Sequence, residues 1–568
     1  MINFDSLTLK ALLSEISPII ENSRVQKIRQ PNRQELLLTL RNNSKNHTLF
    51  ISTKPSFAHI CLLEDKNKIY RIFDFPTSPP MFCMLLRKYL ENAKIEKVVQ
   101  PDHERIVEFY FTAYGELGES IKLILAVELM GKHSNMILYN ADTKIIVGCA
   151  HNVGEEKSKT RELAGGLSYV YPPKYYKKDI SLISKEEFLS LSKSINTTFP
   201  NWLNETFYDI SIPLAIEICK SLNIPSEKDF GFAVSKEVLE NVFEKAKEIL
   251  SLEKICPTIS ADFEEFSLNG FYENNCQNVN DMTDLYFGKN SFEELLERKR
   301  KNLKSLIDRE VKKVKRLIKK LSVGEDFEEK ILLYKQTADT LMANIYLKNF
   351  EKSKIELNNV HTGENIVIEV DTALSVNDNA QNYYKLYAKA KRTKETNEEL
   401  FEKYKEKENY LLSIKSSTEL AQDMETLSEI EEETSQFMPK QKIKTSSKPK
   451  KITVENLEKD GYEIFIGKNN KQNDYIVSKL SSPEDFWFHV HGDFGSHVLV
   501  KNKKREETLP DEILLFASKL AGKYSERRND AKINVIYTKR KYLRKPPGAN
   551  LGYVTYKNEK EITVELNK

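Results

Sequence analysis

Cysteine is scarce in this chain: six thiols in 568 residues, Cys61, Cys83, Cys149, Cys219, Cys256 and Cys276, with no close pair at a metal-ligand spacing. Most lie in apolar contexts such as MFCMLL and IEICKSL, which argues against a disulfide scaffold and for free thiols in a reducing compartment. Long apolar runs are lacking too. The greasiest stretch, LILAV within IKLILAVELM, falls far short of the ~20 residues that span a bilayer. The start, MINFDSLTLKALLSEI, has no basic leader region and no small-residue cleavage site, so a cytoplasmic protein is expected. Net charge is only +3 although 30% of residues are charged, which excludes a grossly basic protein and leaves any polyanion contact to local patches. There is no Walker A sequence and no GxGxxG following a strand, so nothing offers nucleotide chemistry.

What is present is charge laid out along helices. In SFEELLERKRKNLKSLIDREVKKVKRLIKKLS, apolar residues fall at Leu303, Ile307, Val311, Val314, Ile318 and Leu321, steps of three and four that put one narrow seam on a polar helix. A second segment, about 379–430, repeats the habit with Tyr384, Tyr387, Leu400, Tyr404, Leu411, Ile414, Leu420, Met424 and Leu427. Neither seam can be buried alone, so each is expected to cover the other in an antiparallel coiled-coil hairpin. Fifty helical residues would make an arm about 75 Å long. Between the helices, KIELNNVHTGENIVIEVDTALS reads as a strand pair turning at His361-Thr362-Gly363-Glu364. The bland alternative is a solvated bundle inside one compact domain. Within the first helix, ERKRKNLKSLIDREVKKVKRLIKK holds twelve Lys or Arg against three acids, which reads equally as a solvated helix face or a basic patch.

At this length three to four domains are expected, and 40% hydrophobic residues suffice for their cores. The pattern is multidomain α+β. Residues 1–178 read as a helix (Leu7, Leu9, Leu12, Leu13, Ile16 on one face) and a mostly antiparallel sheet, with a second helix starting after Pro80. Residues 179–255 form a helical insert with N-caps at Ser184 and Ser235, and strands in 256–290 complete the first sheet. The arm occupies 291–435 with its tip at about 351–378, 436–451 is a basic flexible tether, and 452–568 is a C-terminal α/β domain with one helix, PDEILLFASKLAGKYSER.

Four motifs stand out. In DFWFHVHGDFGSHVLV, alternation places Phe486, Phe488 and Val490 on one strand face and Asp485, Trp487, His489 and His491 on the other. His489, His491 and His497 could ligate zinc, but no Cys or suitably placed Glu joins them and no metal is expected. Gly492–Ser496 is either a plain turn or a phosphate-holding loop. Nearby, Asn469, Asn470 and Asn473 beside Lys468 and Lys471 suit contacts to RNA. TKRKYLRKPPGAN gathers Lys539, Arg540, Lys541, Arg544 and Lys545 around Tyr542 and a Pro-Pro-Gly corner, a candidate phosphate-binding loop. PDHERIVEF offers Glu104 and Arg105, alone no more than a surface ion pair, and ELMGKHSNMIL is a glycine-bearing turn with weak claims to hydrolase chemistry.

Eight blocks, in this order, carry a resemblance: RVQKIRQPNRQELLLTL, PPMFCMLLRKYLE, ELMGKHSNMIL, YKQTADTLMANI, NAQNYYKLYAKAKR, GKNNKQND, DFWFHVHGDFGSHV and KRKYLRKPPGANLGYVTY. Together they resemble the NFACT family over essentially the whole chain. The resemblance implies an N-terminal domain related in fold to formamidopyrimidine-DNA glycosylases, a helix-hairpin-helix-like insert, the coiled-coil arm and a C-terminal RNA-binding domain. It also implies a ribosome quality control factor: binding of large (50S) ribosomal subunits, their rRNA and proteins, still carrying peptidyl-tRNA; recruitment of charged tRNA, tRNA-Ala in a bacterial member; and untemplated C-terminal alanine tails that mark the stalled chain for degradation. A small RNA-binding cofactor of that pathway is an implied partner. Fibronectin is another, from an older family name, which makes a surface adhesin the alternative. No membrane partner and no cofactor are expected, and the chain is not expected to be an enzyme, bond formation being the ribosome's.

The family's Asp-Arg pair, implicated in handling tRNA, falls on Glu104 and Arg105, one methylene longer at the acid. Its N-terminal FDG appears as Phe4-Asp5-Ser6. The start Met1-Ile2-Asn3 lacks the Pro-Glu of the glycosylases, so base excision is not expected, and the insert around Ile210-Ser211-Ile212-Pro213 lacks a glycine hairpin. In the last domain the resemblance draws Trp487, Ser496 and His497 into the RNA-binding set with Lys468, Asn469, Asn470, Asn473, His489 and the Lys539–Lys545 loop; His491 and Phe494 replace the family's lysine and proline.

Overall fold

The computed structural model describes residues 4–64, 73, 75–115, 118–156, 160–173, 176–195, 197–225, 235–322, 327–347, 352–437 and 452–566. They divide into two compact units, Met1–Leu295 and Leu296–Lys568. Met1-Ile2-Asn3 and most of the basic tether, 438–451, lie outside the described residues. No helix among the described residues is long and apolar enough to cross a membrane.

In the first unit α1 (Ser6–Ile20) starts at Asp5, whose carboxylate accepts from Thr8 N at 2.8 Å. Its stripe of Leu7, Leu9, Leu12, Leu13 and Ile16 is buried, as its spacing requires. Strands β1 (Arg24–Asn32), β2 (Glu35–Asn42), β3 (Lys45–Ser52) and β4 (His59–Leu62) follow. Then come α2 (Met81–Leu90), directly after Pro80, and β5 (Lys94–Val99), β6 (Ile106–Tyr114), β7 (Ser120–Glu128), β8 (Asn135–Asn140) and β9 (Ile146–Cys149). The nine strands make one antiparallel sheet in the order β4-β3-β2-β1-β5-β6-β7-β8-β9. One face carries the main core, where Leu38, Ile51, Phe109 and Leu125 join Leu12 of α1 and Leu86 of α2. A smaller core around Ile124, Ile137 and Tyr139 covers part of the other. The insert supplies α3 (Lys185–Leu191), α4 (Phe199–Thr206), α5 (Ile212–Ser221) and α6 (Lys236–Leu250), with Ser184 and Ser235 capping α3 and α6.

The segment after the insert departs from expectation. Its strands β10 (Thr258–Ile259), β11 (Phe266–Ser267) and β12 (Asn274–Asn275) do not complete the large sheet but form a separate three-stranded one, each too short to extend it. By Val279 the chain is already helical, in α7 (Val279–Ser322). The cause is capping: Asn278 Oδ1 accepts from Asp281 N at 2.8 Å, and the Glu15 carboxylate of α1 accepts from Val279 N and Asn280 N at 2.9 Å.

In the second unit α7 continues, followed by α8 (Phe327–Ala343), the hairpin β13 (Lys354–Asn358) and β14 (Asn365–Glu369), α9 (Val376–Leu420) and α10 (Met424–Ser435). Leu303, Ile307, Val311 and Val314 of α7 and Leu411 and Ile414 of α9 are buried. Ion pairs Lys304–Glu419 (2.5 Å) and Asp308–Lys415 (2.7 Å) link α7 to α9 with numbering that rises in one and falls in the other, so the helices run antiparallel. The tip turns at Gly363 (φ +74°) and has its own core of Leu341, Ile368, Val370, Val376 and Ala380.

The C-terminal domain comprises β15 (Glu455–Lys459), β16 (Tyr462–Ile466), the short α11 (Asn470–Tyr475), β17 (Phe486–Val490), β18 (Val498–Val500), α12 (Asp511–Lys523), β19 (Lys532–Lys539), the ribbon β20 (Leu543–Arg544) and β21 (Thr555–Tyr556), and β22 (Lys560–Glu565). Its sheet, β15-β16-β18-β17-β19-β22, is antiparallel throughout. Phe486, Phe488 and Val490 pack on one face with α12, while Trp487 packs on the other with Ile476, Leu499 and Leu543, the alternation the sequence shows.

Candidate nucleic-acid interfaces

In the first unit, stretches far apart in sequence meet around a cleft of about 1220 Å³, lined by Phe4–Ser6, His103–Arg105, Met130, Lys132–Asn135, His151, Arg161, Lys177 and Tyr208–Pro213 among others. The loop bearing Glu104 and Arg105 is held from three directions. Gln100 Nε2 donates to Glu104 O at 2.9 Å and to Ser6 O at 3.0 Å, tying the loop to the start of α1. Leu129 N donates to Arg105 O at 2.8 Å, tying it to the turn after β7. His103, in the left-handed region at φ +59°, lies 2.6 Å from Asp209 and stacks on Tyr208 at 4.7 Å, tying it to the insert. The Arg105 side chain is exposed at this clamped backbone, and Glu104 is half-buried.

The rest of the cleft is equally fixed. The half-buried Asp5 carboxyl accepts from Thr8 N and Thr8 Oγ1, both at 2.8 Å, and desolvation pushes its pKa up. Asn135 bridges to His151 through its Nδ2 (2.8 Å to His151 O) and Oδ1 (3.1 Å from His151 N). Arg161 forks onto the fully buried Glu128, with Nη1 2.7 Å from Oε1, and Tyr169 Oη donates to the same oxygen at 3.0 Å. Arg105, Lys132 and His133 are exposed, whereas Lys177 is half-buried and burial lowers its pKa. A cleft this large, bearing exposed cations on clamped backbone, suits part of a folded nucleic acid better than a small metabolite. The sequence alone does not mark Lys132, His151 or Arg161, and it offers His133, Ser134 and Asn135 only as a weak hydrolase signal in ELMGKHSNMIL, because nothing local shows that this turn lies next to Arg105.

The C-terminal residues divide differently. Lys468 pairs with Glu455 (2.8 Å) and Asp423 (3.5 Å). Asn469 donates to Glu429 at 2.6 Å, and Asn470 donates to Glu433 at 2.9 Å and Ser413 at 3.0 Å. Asn473 accepts from His497 N at 2.9 Å. All three asparagines are buried, so in this structure GKNNKQND is a joint fastening the domain to α9 and α10, not an open RNA-binding face. Trp487 and His497 are buried; His489 stacks on Trp487 (5.6 Å) and meets His497 edge-on (5.3 Å). Burial drives the His489 pKa down to about 4 and that of His497 well below its ordinary value, leaving both neutral at physiological pH. Ser496 is buried, and His491 turns to Glu561 at 3.0 Å. No group of three His, Cys, Asp or Glu among the described residues is placed to hold a metal ion.

In the basic loop, Lys539 pairs with Glu484 (2.9 Å) and Glu507 (3.2 Å), Lys541 with Glu484 (2.8 Å) and Lys545 with Asp474. Hydrogen bonds from Lys541 and Lys539 hold the Glu484 pKa down to about 2. Arg540 donates to Val477 O (2.9 Å) and Ser481 Oγ (3.0 Å). Arg544 is exposed and has no ion pair among the described residues. The ribbon pairs it with Thr555, and exposed Tyr542 and Tyr553 lie next to the ribbon strands in sequence, rings of the kind on which unpaired bases stack.

Comparison with known proteins adds three findings. A family model described as NFACT N-terminal and middle domains matches residues 5–451, and one described as NFACT protein RNA binding domain matches residues 450–558. The Rqc2 homolog RqcH of Streptococcus suis is 30% identical over 572 residues, covering 99% of this chain and 98% of that one, and the Rqc2 homolog RqcH of Bacillus subtilis is 26% identical over 573 residues with the same coverage. A solved structure, the N-terminal part of the fibronectin/fibrinogen-binding protein from Streptococcus suis, is 28% identical with a TM-score of 0.41, covering 50% of this chain and 99% of that one.

Proposed function

This chain belongs to the NFACT family, and on that premise we propose that it works in ribosome-associated quality control. It binds large ribosomal subunits that still hold peptidyl-tRNA, recruits charged tRNA, with tRNA-Ala the expected choice, and directs an untemplated alanine tail that marks the stalled chain for degradation. Its place of action is then the cytoplasm. It forms no bond itself and needs no cofactor or metal, since peptidyl transfer belongs to the ribosome; a small RNA-binding protein of the same pathway is a further partner. The single observation that carries this reading is the cleft: Glu104 and Arg105 sit on backbone clamped from three sides, with Lys132 and His133 on the same wall. That geometry presents a cation and an acid in fixed register to an RNA loop. The C-terminal domain adds contacts through Arg544 and the exposed Tyr542 and Tyr553 that flank the β20–β21 ribbon strands.

The test is cosedimentation with large subunits and sequencing of the tRNA that comes down, for the wild type and Glu104→Ala/Arg105→Ala. The double variant is expected to lose tRNA and tail addition while keeping its melting temperature. A variant that still recovers tRNA and still extends stalled chains refutes the assignment of the cleft. Fibronectin binding rests on the family resemblance alone, and a direct binding measurement with purified fibronectin decides it.

A further inference from the structure

The basic run in α7 serves neither of the interfaces above. Its exposed face is of one sign. At 3.6 residues per turn, Lys301, Arg309, Lys312, Arg316, Lys319 and Lys320 fall on the arc opposite the buried seam of Leu303, Ile307 and Val314, and all six are exposed. The only other exposed side chains between them on that arc are Asn302 and Ser305. The acids of the same stretch lie off the arc and are engaged: Glu297 with Arg300, Asp308 with Lys415 (2.7 Å), and Glu310 with Lys313 (2.9 Å). The cations nearer the seam also find acids, Lys304 at Glu419 and Lys315 at Glu408. The six outer cations have no ion pair among the described residues. An ordinary solvated helix face mixes both signs in i,i+4 pairs; this one segregates them.

We propose that the outer face of α7 from Lys301 to Lys320 is a second RNA-binding surface, a straight rail for the sugar–phosphate backbone of duplex RNA. The rail is about 30 Å long, the order of one duplex turn. From Arg309 to Lys319 its cations recur every three or four residues, about 5–6 Å apart, with Lys301 two turns ahead of them. It presents no aromatic ring, so it has no means of holding unpaired bases by stacking and reads backbone and shape alone, which is how double-stranded RNA is met. A membrane surface is the wrong partner, because the apolar stripe such a helix would insert is buried in the arm. The proposal rests on the ribosomal reading only for where the duplex comes from.

The experiment measures binding of the full chain to a blunt two-turn RNA duplex, by anisotropy, over about 50 to 200 mM salt. Lys312→Gln/Arg316→Gln/Lys319→Gln keeps helix-forming side chains, and circular dichroism checks the fold. Lys354→Gln/Lys503→Gln/Lys532→Gln removes the same charge from exposed, ion-paired sites and serves as control. The rail variant is expected to bind roughly tenfold or more weakly at low salt, with a log–log salt slope shallower by about three, and the control to match the wild type. Wild-type slope in the rail variant, or an equal loss in the control, overturns the proposal. So does a poly-U strand that binds as tightly as the duplex and loses as much. A rail variant that loses large subunits yet binds the naked duplex normally overturns it in favour of an acidic protein surface. Failure of the wild type to cosediment with large subunits refutes the ribosomal reading and leaves the duplex titration to decide the rail.

Discussion

Arg161 shows how much one side chain holds in place. It forks onto Glu128, which is wholly buried, and stands at the wall of the cleft. Arg161→Met leaves that carboxylate buried without its cation and is expected to destabilise the first unit by about 3–5 kcal/mol, read as a shift in its thermal unfolding. Adding Glu128→Leu removes the orphaned charge and should recover most of the loss. His489 supplies the pH dependence. Its folded pKa of about 4 lies below the ordinary 6.5, so the unfolded chain takes up a proton that the folded one refuses. The stability it contributes is therefore present above pH 6.5 and is lost as pH falls from there toward 4. His489→Gln is expected to flatten the stability profile of the second unit in that window, and an unchanged profile would show that the ring is not held neutral. Neither behaviour is visible in the sequence, because burial of a charge depends on what packs over it.

At the scale of elements, the joint between α10 and α11 matters most. Asn470→Ala removes the donor to Glu433 and Ser413 inside a buried contact and should cost about 1–3 kcal/mol, with faster proteolysis after α10. Lys541→Ala, which breaks only an ion pair at the surface, should change the melting temperature little. The helices themselves were readable. The stripe of α1, the seam of α7, the caps at Ser184 and Ser235 and the turn at Gly363 are local patterns, and the structure follows each. The segment at 256–288 was misread because its two-residue strands are too weak a signal to show which sheet they join, and because the cap from Glu15 that starts α7 lies in the first helix. Strands β5, β15 and β22 are hard to read from the sequence for a related reason, since charged residues at their exposed positions dilute the alternation.

For the whole molecule, the two units carry separate apolar cores, one around Leu12, Phe109 and Leu125, the other around Phe488, Val535 and Val564. Calorimetry is expected to resolve two transitions, with Arg161→Met lowering one and Asn470→Ala the other; a single transition shifted by both would contradict independent cores. The sequence by itself determined the order of parts, the periodicity of the arm and the basic run on α7, because each is written in residues a few positions apart. Only the tertiary structure decided which polar residues are free to meet a partner. Asn470 finds its acceptors 37 and 57 residues away, and Arg105 meets the turn of ELMGKHSNMIL only because β6 and β7 pair with Ile106 opposite Glu128. A side chain's exposure is set by the element that packs against it, and in this chain those elements come from distant stretches.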